Sequence, residues 1–208
     1  HPVAAFGSVM TALEARLHRD ARLPGVLYTA AGVALAAGAG AVAGSATAAT
    51  YVSVAGRALG EAAHEVAEPL ALGDLATARE RLPALVGRDA TGLDEADIAR
   101  AVVESVAENT TDAVVAPALW ALVGGAPGAL AYRAVNTMDA MVGHRSARYR
   151  RFGWASARLD DVANWVPARV TAALVAAARP ERARAVWEAV LRDAPGHPSP
   201  NAGVAEAA

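Results

Sequence analysis

The sequence predicts an all-α, multi-pass integral membrane protein with a polar helical hairpin outside the bilayer. Three observations predict it. No charged residue occurs from Pro24 to Gly56, and none from Ala113 to Ala131. A helix needs about 20 apolar residues to cross a bilayer, so the first run holds one tilted span or two tight ones. The stretch between the two runs is polar and carries helix start and stop residues. No segment alternates strongly enough at the two-residue period to make a sheet. Composition agrees: 54% of residues are hydrophobic and 19% charged, where a soluble domain has about 25% charged.

Residues 1–22 predict a short helix with Glu14, Arg16, Arg19 and Asp20 on its polar face. In the run 24–56, Gly32, Ala36, Gly40 and Gly44 fall four apart, a stripe of small residues that lets helices approach closely in lipid. Residues 57–100 form the extramembrane hairpin. Asp74 reads as an N-cap, Leu75, Leu82 and Leu85 as an apolar face, and Gly87 as a stop. Another helix follows, capped by Asp94 or Thr91, with Glu95 and Asp97 in its first turn where the helix dipole favours acids. The second uncharged run holds Pro117, Gly124, Gly125, Pro127 and Gly128, which predicts two short helices broken at "GGAPG", or a re-entrant pair. Residues 129–145 resume a helix. The basic loop "GHRSARYRR" at 143–151 belongs on the cytoplasmic side by the positive-inside rule. Residues 160–178 form a third apolar segment, with Pro167 and Arg169 inside it. An amphipathic helix at 179–193 and a turn-rich loop complete the chain. The whole, 1–208, reads as a single helical membrane domain, with the catalytic helices at 101–178. Both ends look cut.

Composition also bounds chemistry. There is no cysteine, which removes disulfides, thiolate zinc sites and a cysteine nucleophile. There is no lysine either, so all 19 basic residues are arginine, and a phosphate here must be held by guanidinium. GC-rich coding alone accounts for that absence. The net charge of −2 gives no argument for nucleic acid. The five histidines show no metal-ligand spacing, and no P-loop, nucleophile elbow or dinucleotide fingerprint occurs.

The conspicuous stretch is "AVVESVAENTTDAVVAP", 101–117. Glu104, Glu108 and Asp112 recur every four residues and share a helix edge, with Asn109 among them. Like charges at this spacing repel by roughly a few tenths of a kcal/mol per pair in water. A solvated face paired with nearby arginines explains them, and spacing alone favours that reading. Mg²⁺ bound with substrate phosphates is the other. Downstream, Tyr132, Asn136 and Asp139 share one face, and Arg133, Thr137 and His144 another. Asp160, Asp161, Asn164 and Arg169 then sit beside apolar residues. Ionisable groups at membrane depth are costly and mark function or mutual pairing.

Three longer stretches, "ESVAENTTDAVVAP", "GAPGALAYRAVNTMDAMVGHRSARYRRFGWASARLDDVANWVPAR" and "GHPSPNAGVAEAA", resemble the adenosylcobinamide-phosphate synthase family of cobalamin biosynthesis, the CobD/CbiB family. "HPVAAFG" is similar to that family's histidine–proline motif. The resemblance covers essentially the whole chain and is dense from 102 to 171. Against the family pattern the chain is expected to be a fragment, without the leading membrane helix and the C-terminal part.

The resemblance implies a multi-pass protein of the cell membrane, working toward the cytoplasm. It implies an ATP-dependent amide ligase that joins adenosylcobyric acid to aminopropanol phosphate or a related amino alcohol phosphate. ATP and Mg²⁺ would be required, the corrinoid being substrate. Within that expectation Glu104, Glu108 and Asp112 bind metal. Asp139, Asp160 and Asp161 hold a second metal, or bind the incoming ammonium and take its proton. Arg133, Arg145 and Arg169 hold phosphates, and Asn109, Asn136 and Asn164 bind corrin amides or nucleotide. A homo-oligomer, or contact with other membrane enzymes of the pathway, is a further expectation. The alternatives are a membrane transporter subunit using the embedded acids and arginines as a relay, or a metal-dependent membrane phosphotransferase.

Overall fold

The computed structural model describes residues 2–86 and 90–208, and among them every regular element is helical. In chain order these are α1 (Pro2–Leu17), α2 (Arg22–Ala43), α3 (Ala46–Ser53), α4 (Gly56–Ala71), α5 (Leu75–Arg81), α6 (Pro83–Val86) and α7 (Glu95–Thr110). A π-helical turn (Thr111–Val115) leads into α8 (Ala116–Val142). Then come α9 (Trp154–Ala163), α10 (Trp165–Ala178), α11 (Ala183–Asp193) and α12 (Ala202–Glu206), with short 3₁₀ turns before and after α11. The chain divides into two compact units, one of residues 2–54 and 115–167, the other of 55–114 and 168–208.

In the first unit the uncharged run 24–56 becomes one long helix and one short one. α2 has 22 residues, about 33 Å at 1.5 Å per residue, which is enough to cross a bilayer. Gly44 ends it in the left-handed conformation (φ 66°), donating its N–H to Gly40 O, and Ser45 caps α3 by accepting from Ala48 N. α3 has eight residues and is too short to cross. The small-residue stripe holds as far as Gly40: Gly32, Ala36 and Gly40 are buried, while Gly44 serves as the stop. A Cβ on Gly32 would strike Met10 and Met138, and one on Gly40 would strike the backbone of Ala126 and Pro127. Close helix approach therefore depends on these positions. Met10, Tyr28, Ala36, Ala134, Met138, Val142 and Phe152 form the core.

α8 is broken where "GGAPG" predicts. Gly125 stands at φ 59°, ψ −146°, a conformation that only glycine adopts readily, so residues 116–124 and 126–142 are separate helical segments. A Cβ on Gly128 would strike the Trp120 carbonyl, so the chain doubles back sharply at the break. Two helical stretches, Arg22–Ala43 and Glu95–Val142, are long and apolar enough to cross a membrane by length and composition, although Gly125 keeps the second from being one straight rod. In α2 only 28% of the most apolar window is buried. Leu23, Val26, Leu27, Leu35 and Val42 on α2, with Leu122 and Val123 on α8, lie exposed. Apolar side chains exposed in such number mark a surface that a partner or a membrane covers.

In the second unit, Val66, Ala78, Leu82, Ile98 and Ala101 form a core with Leu75 packed on it. Asp74 caps α5, accepting from the N–H and hydroxyl of Thr77 at 3.1 and 2.6 Å. The Thr77 hydroxyl, then its N–H, hold the Asp74 carboxyl below the usual carboxylate range. Of the two candidate caps for α7, Asp94 is the one used, accepting from Asp97 N at 2.9 Å. The expected stop at Gly87 lies outside the described residues. Ala168 and Ala172 of α10 pack with Val190 of α11 and Val204 of α12.

Candidate functional site

The nominated residues fall in both units. Arg133, Asn136, Asp139, Arg145, Asp160, Asp161 and Asn164 are in the first; Glu104, Glu108, Asn109, Asp112 and Arg169 are in the second.

The most organised polar feature of the first unit is built where α9 ends. Asn164 breaks the run between α9 and α10, its N–H donating to Asp160 O at 2.9 Å. Its side chain is buried there, the residue being 3% exposed. There Asn164 Oδ1 accepts from the Tyr132 hydroxyl at 2.8 Å, and Asn164 Nδ2 donates to Asp160 Oδ2 at 3.0 Å. Tyr132 is itself 2% exposed, packed with Ala116, Val135 and Ala163. The outcome is a directed chain, Tyr132 to Asn164 to Asp160, in which each amide atom has one role. It fixes the Asn164 amide orientation and aims one oxygen of a half-buried carboxylate. Trp120 Nε1 donates to Ala163 O at 3.1 Å and pins the same corner.

The two neighbouring acids are placed differently. Asp161 pairs with Arg158 at 3.2 Å, one turn back on α9. Asp139 lies at the end of α8, its carboxylate against Gly143, where a Cβ could not fit, and its carbonyl accepts from Gly143 N at 2.6 Å. Asn136 Oδ1 accepts from Arg133 Nη1 at 3.2 Å. Arg145 is exposed in the loop after α8.

In the second unit Glu104 and Asp112 are half-buried and Glu108 is exposed. Asn109 is turned to its own helix, donating to Ser105 O at 2.9 Å and Ser105 Oγ at 3.2 Å. Asp112 stands in the π turn, a rare widening that is frequent at functional sites. There the buried Thr111 hydroxyl donates to Thr171 Oγ1 at 3.0 Å. Arg169 donates to Asn201 Oδ1 at 3.1 Å and reaches Pro200 O at 3.4 Å, so this nominated arginine anchors the loop before α12. Among the described residues, no three His, Asp or Glu side chains gather closely enough to cage a metal ion.

Sequence reasoning misses Glu14. It reads as part of a solvated face, yet it is 8% exposed. Arg148 Nη2 donates to Glu14 Oε1 at 3.0 Å, and the Tyr149 hydroxyl donates to the same oxygen at 2.9 Å. The hydrogen bond to Glu14, and after it the neighbouring Tyr149, hold the Arg148 guanidinium above its ordinary range. His18 packs beside Tyr149 and Phe152. The basic loop 143–151 is thus tied to the end of α1. The signal was an acid in a helix and an arginine-rich loop 134 residues later, which local spacing cannot connect.

A family profile described as CobD/Cbib protein matches residues 1–208. The chain belongs to the CobD/CbiB family. Relatives named cobalamin biosynthesis protein CobD agree with this placement. That of Geobacter metallireducens is 47% identical, covering 100% of this chain and 71% of its own length. That of Mycobacterium tuberculosis is 46% identical with the same coverage. That of Halalkalibacterium halodurans is 52% identical over 75% of this chain and 50% of its own length. No solved structure matches. The resemblance read from the residues is therefore correct at the level of family, and this CobD/CbiB-family chain is all-helical as expected among its described residues.

Proposed function

We propose that this CobD/CbiB-family chain performs ATP-dependent amide formation in cobalamin biosynthesis, joining adenosylcobyric acid to aminopropanol phosphate or a related amino alcohol phosphate. The reading places it in the cell membrane, crossing more than once, with its chemistry toward the cytoplasm. Family membership supports the pathway. The exposed apolar surface of α2 supports the membrane, and the basic loop 143–151 supports the orientation. The observation that carries the chemistry is the buried Tyr132–Asn164–Asp160 chain.

A carboxylate becomes an amide only after activation. The γ-phosphoryl group of ATP passes to a carboxylate oxygen, the amine nitrogen attacks the carbonyl carbon, and phosphate leaves. The amine arrives as ammonium and must lose two protons overall. Asp160, held by Asn164, is the group suited to bind that ammonium and accept a proton. Asp161 is already paired with Arg158 and Asp139 is tucked against Gly143, so each is assigned a supporting electrostatic role. Arg145 has its guanidinium exposed and suits a phosphate.

The donor set fits Mg²⁺ as a nucleotide complex rather than in a protein cage. That ion keeps waters and substrate phosphates and needs one or two carboxylates. Glu104 and Glu108, a turn apart on α7, with Asp112 beyond them, are such donors. When bound, the ion would neutralise phosphate charge.

The test is the full-length protein incubated with adenosylcobyric acid, aminopropanol phosphate and Mg-ATP, read by mass spectrometry. The expected result is the condensed amide with one ADP per product. No such mass, beside an active relative as control, refutes the reading. Glu108→Gln is expected to abolish product while the protein still inserts and purifies. Near-normal turnover in that variant would return the acidic edge to a solvated role.

A further inference from the structure

Arg133 stands apart from the other nominated arginines. It lines a pocket of about 280 Å³ in the first unit, formed by α1, α2, α3 and the second segment of α8. Every other side chain of the lining is apolar except Thr137, whose hydroxyl is already spent on Arg133 O at 2.7 Å. None of the described lining residues is acidic. Arg133 Nη1 is held by Asn136 Oδ1, but Arg133 Nε is buried with no hydrogen-bond partner. Among the described residues Arg133 forms no ion pair.

An arginine lining an apolar pocket with a buried, unpartnered Nε and no counter-ion among the described residues is an unfavourable arrangement by itself. A buried donor left unmade costs about 1–3 kcal/mol, and more when the group is charged. The arrangement becomes favourable when an anion takes the Nε–Nη2 edge, the side-on fork that matches a phosphate or carboxylate. The rest of the pocket then selects what carries the anion. Its walls are hydrocarbon, and they continue outward along Val9 and Leu35, both about half exposed. An amino alcohol phosphate carries an ammonium as well, and these walls offer no acid to receive it. An anion on an aliphatic chain satisfies both halves.

We infer that this pocket is a binding site for an anionic phospholipid, with its phosphate on Arg133 and an acyl chain along α1 and α2. The site lies outside the amide-forming chemistry proposed above. Lipid binding here also explains why Arg133 can be retained at a helix position surrounded by Phe6, Leu130 and Ala134.

The experiment is native mass spectrometry of the full chain in mild detergent, titrated with phosphatidylglycerol and, separately, phosphatidylcholine. One saturable phosphatidylglycerol adduct is expected, with phosphatidylcholine much weaker. Arg133→Gln is expected to weaken it about ten- to hundred-fold, the loss of hydrogen bonds to a charged group. Ala39→Leu, which adds bulk to the pocket lining and leaves Arg133 in place, is expected to weaken it as well, and decides the matter should Arg133→Gln fail to fold. Equal binding of both lipids, or undiminished phosphatidylglycerol binding in either folded variant, overturns the inference. So does displacement of the lipid by millimolar aminopropanol phosphate, which would make the pocket a substrate site instead. Loss of lipid from the Ala39→Leu protein with condensation activity intact separates this inference from the proposed reaction.

Discussion

Replacing Tyr132 with Phe removes one oxygen from the buried chain and leaves its packing in place. Tyr132 is 2% exposed and its ring stays against Ala116, Val135 and Ala163, so no cavity opens. What is lost is the 2.8 Å hydrogen bond to Asn164 Oδ1. A neutral hydrogen bond contributes about 1 kcal/mol net, and an acceptor left buried and unmet adds up to about 1–3 kcal/mol. Asn164 is 3% exposed, so water cannot substitute freely, and about 1–3 kcal/mol is expected. At about 2–4 °C per kcal/mol for a chain of this size, the melting temperature in detergent should fall by about 4–8 °C for the middle of that range. Asn164→Leu removes the acceptor, so Tyr132→Phe should cost less on that background, with a coupling of about 1 kcal/mol in the double-mutant cycle. Turnover should fall further than stability does, by about tenfold or more at temperatures where the variant is folded, because Asn164 then no longer aims Asp160. A Tyr132→Phe protein with unchanged melting and turnover would refute the claim that this chain orders the acid.

Three further outcomes follow from the same geometry. Gly25→Ala should destabilise the first unit by about 1–3 kcal/mol or more, since a Cβ there collides with the Phe152 carbonyl rather than a movable side chain; helical circular dichroism during heating measures it. Glu14→Gln should release the loop 143–151, so that trypsin cuts after Arg148, Arg150 or Arg151 several-fold faster than in the parent, whereas an unchanged digestion pattern would show that Glu14 does not hold it. Asp74 has a folded-state pKa below its unfolded one, so its contribution to α5 is present above the unfolded pKa and is lost as pH falls through the folded one. Amide exchange in α5 should therefore rise in acid in the parent, and Asp74→Asn should flatten that dependence.

What the sequence reveals here depends on the range of the forces that decide each feature. Breaks and caps are local and were legible. Gly125 carries a backbone angle that other residues resist, Asp74 and Asp94 each reach an N–H three residues on, and all three stand out in the written sequence. The division of 24–56 was ambiguous because one long span and two tight ones share the same composition. The decision rests on a "GS" pair, Gly44 ending α2 and Ser45 starting α3. Pro167, noted inside the apolar segment 160–178, falls in the first turn of α10, where a missing N–H costs nothing, and the break is made at Asn164. Neither glycine nor proline marks that position.

Asn164, where α9 gives way to α10, has a side chain that joins two groups, Tyr132 32 residues before it and Asp160 one turn before it. Glu14 follows the same logic across 134 residues. In each case a polar residue departs from its local pattern because a buried partner elsewhere makes the departure favourable. A break with no glycine or proline, or an acid on a helix face that packs, therefore points to a long-range polar contact, and Asp160, proposed above to accept the proton, lies one turn before such a break.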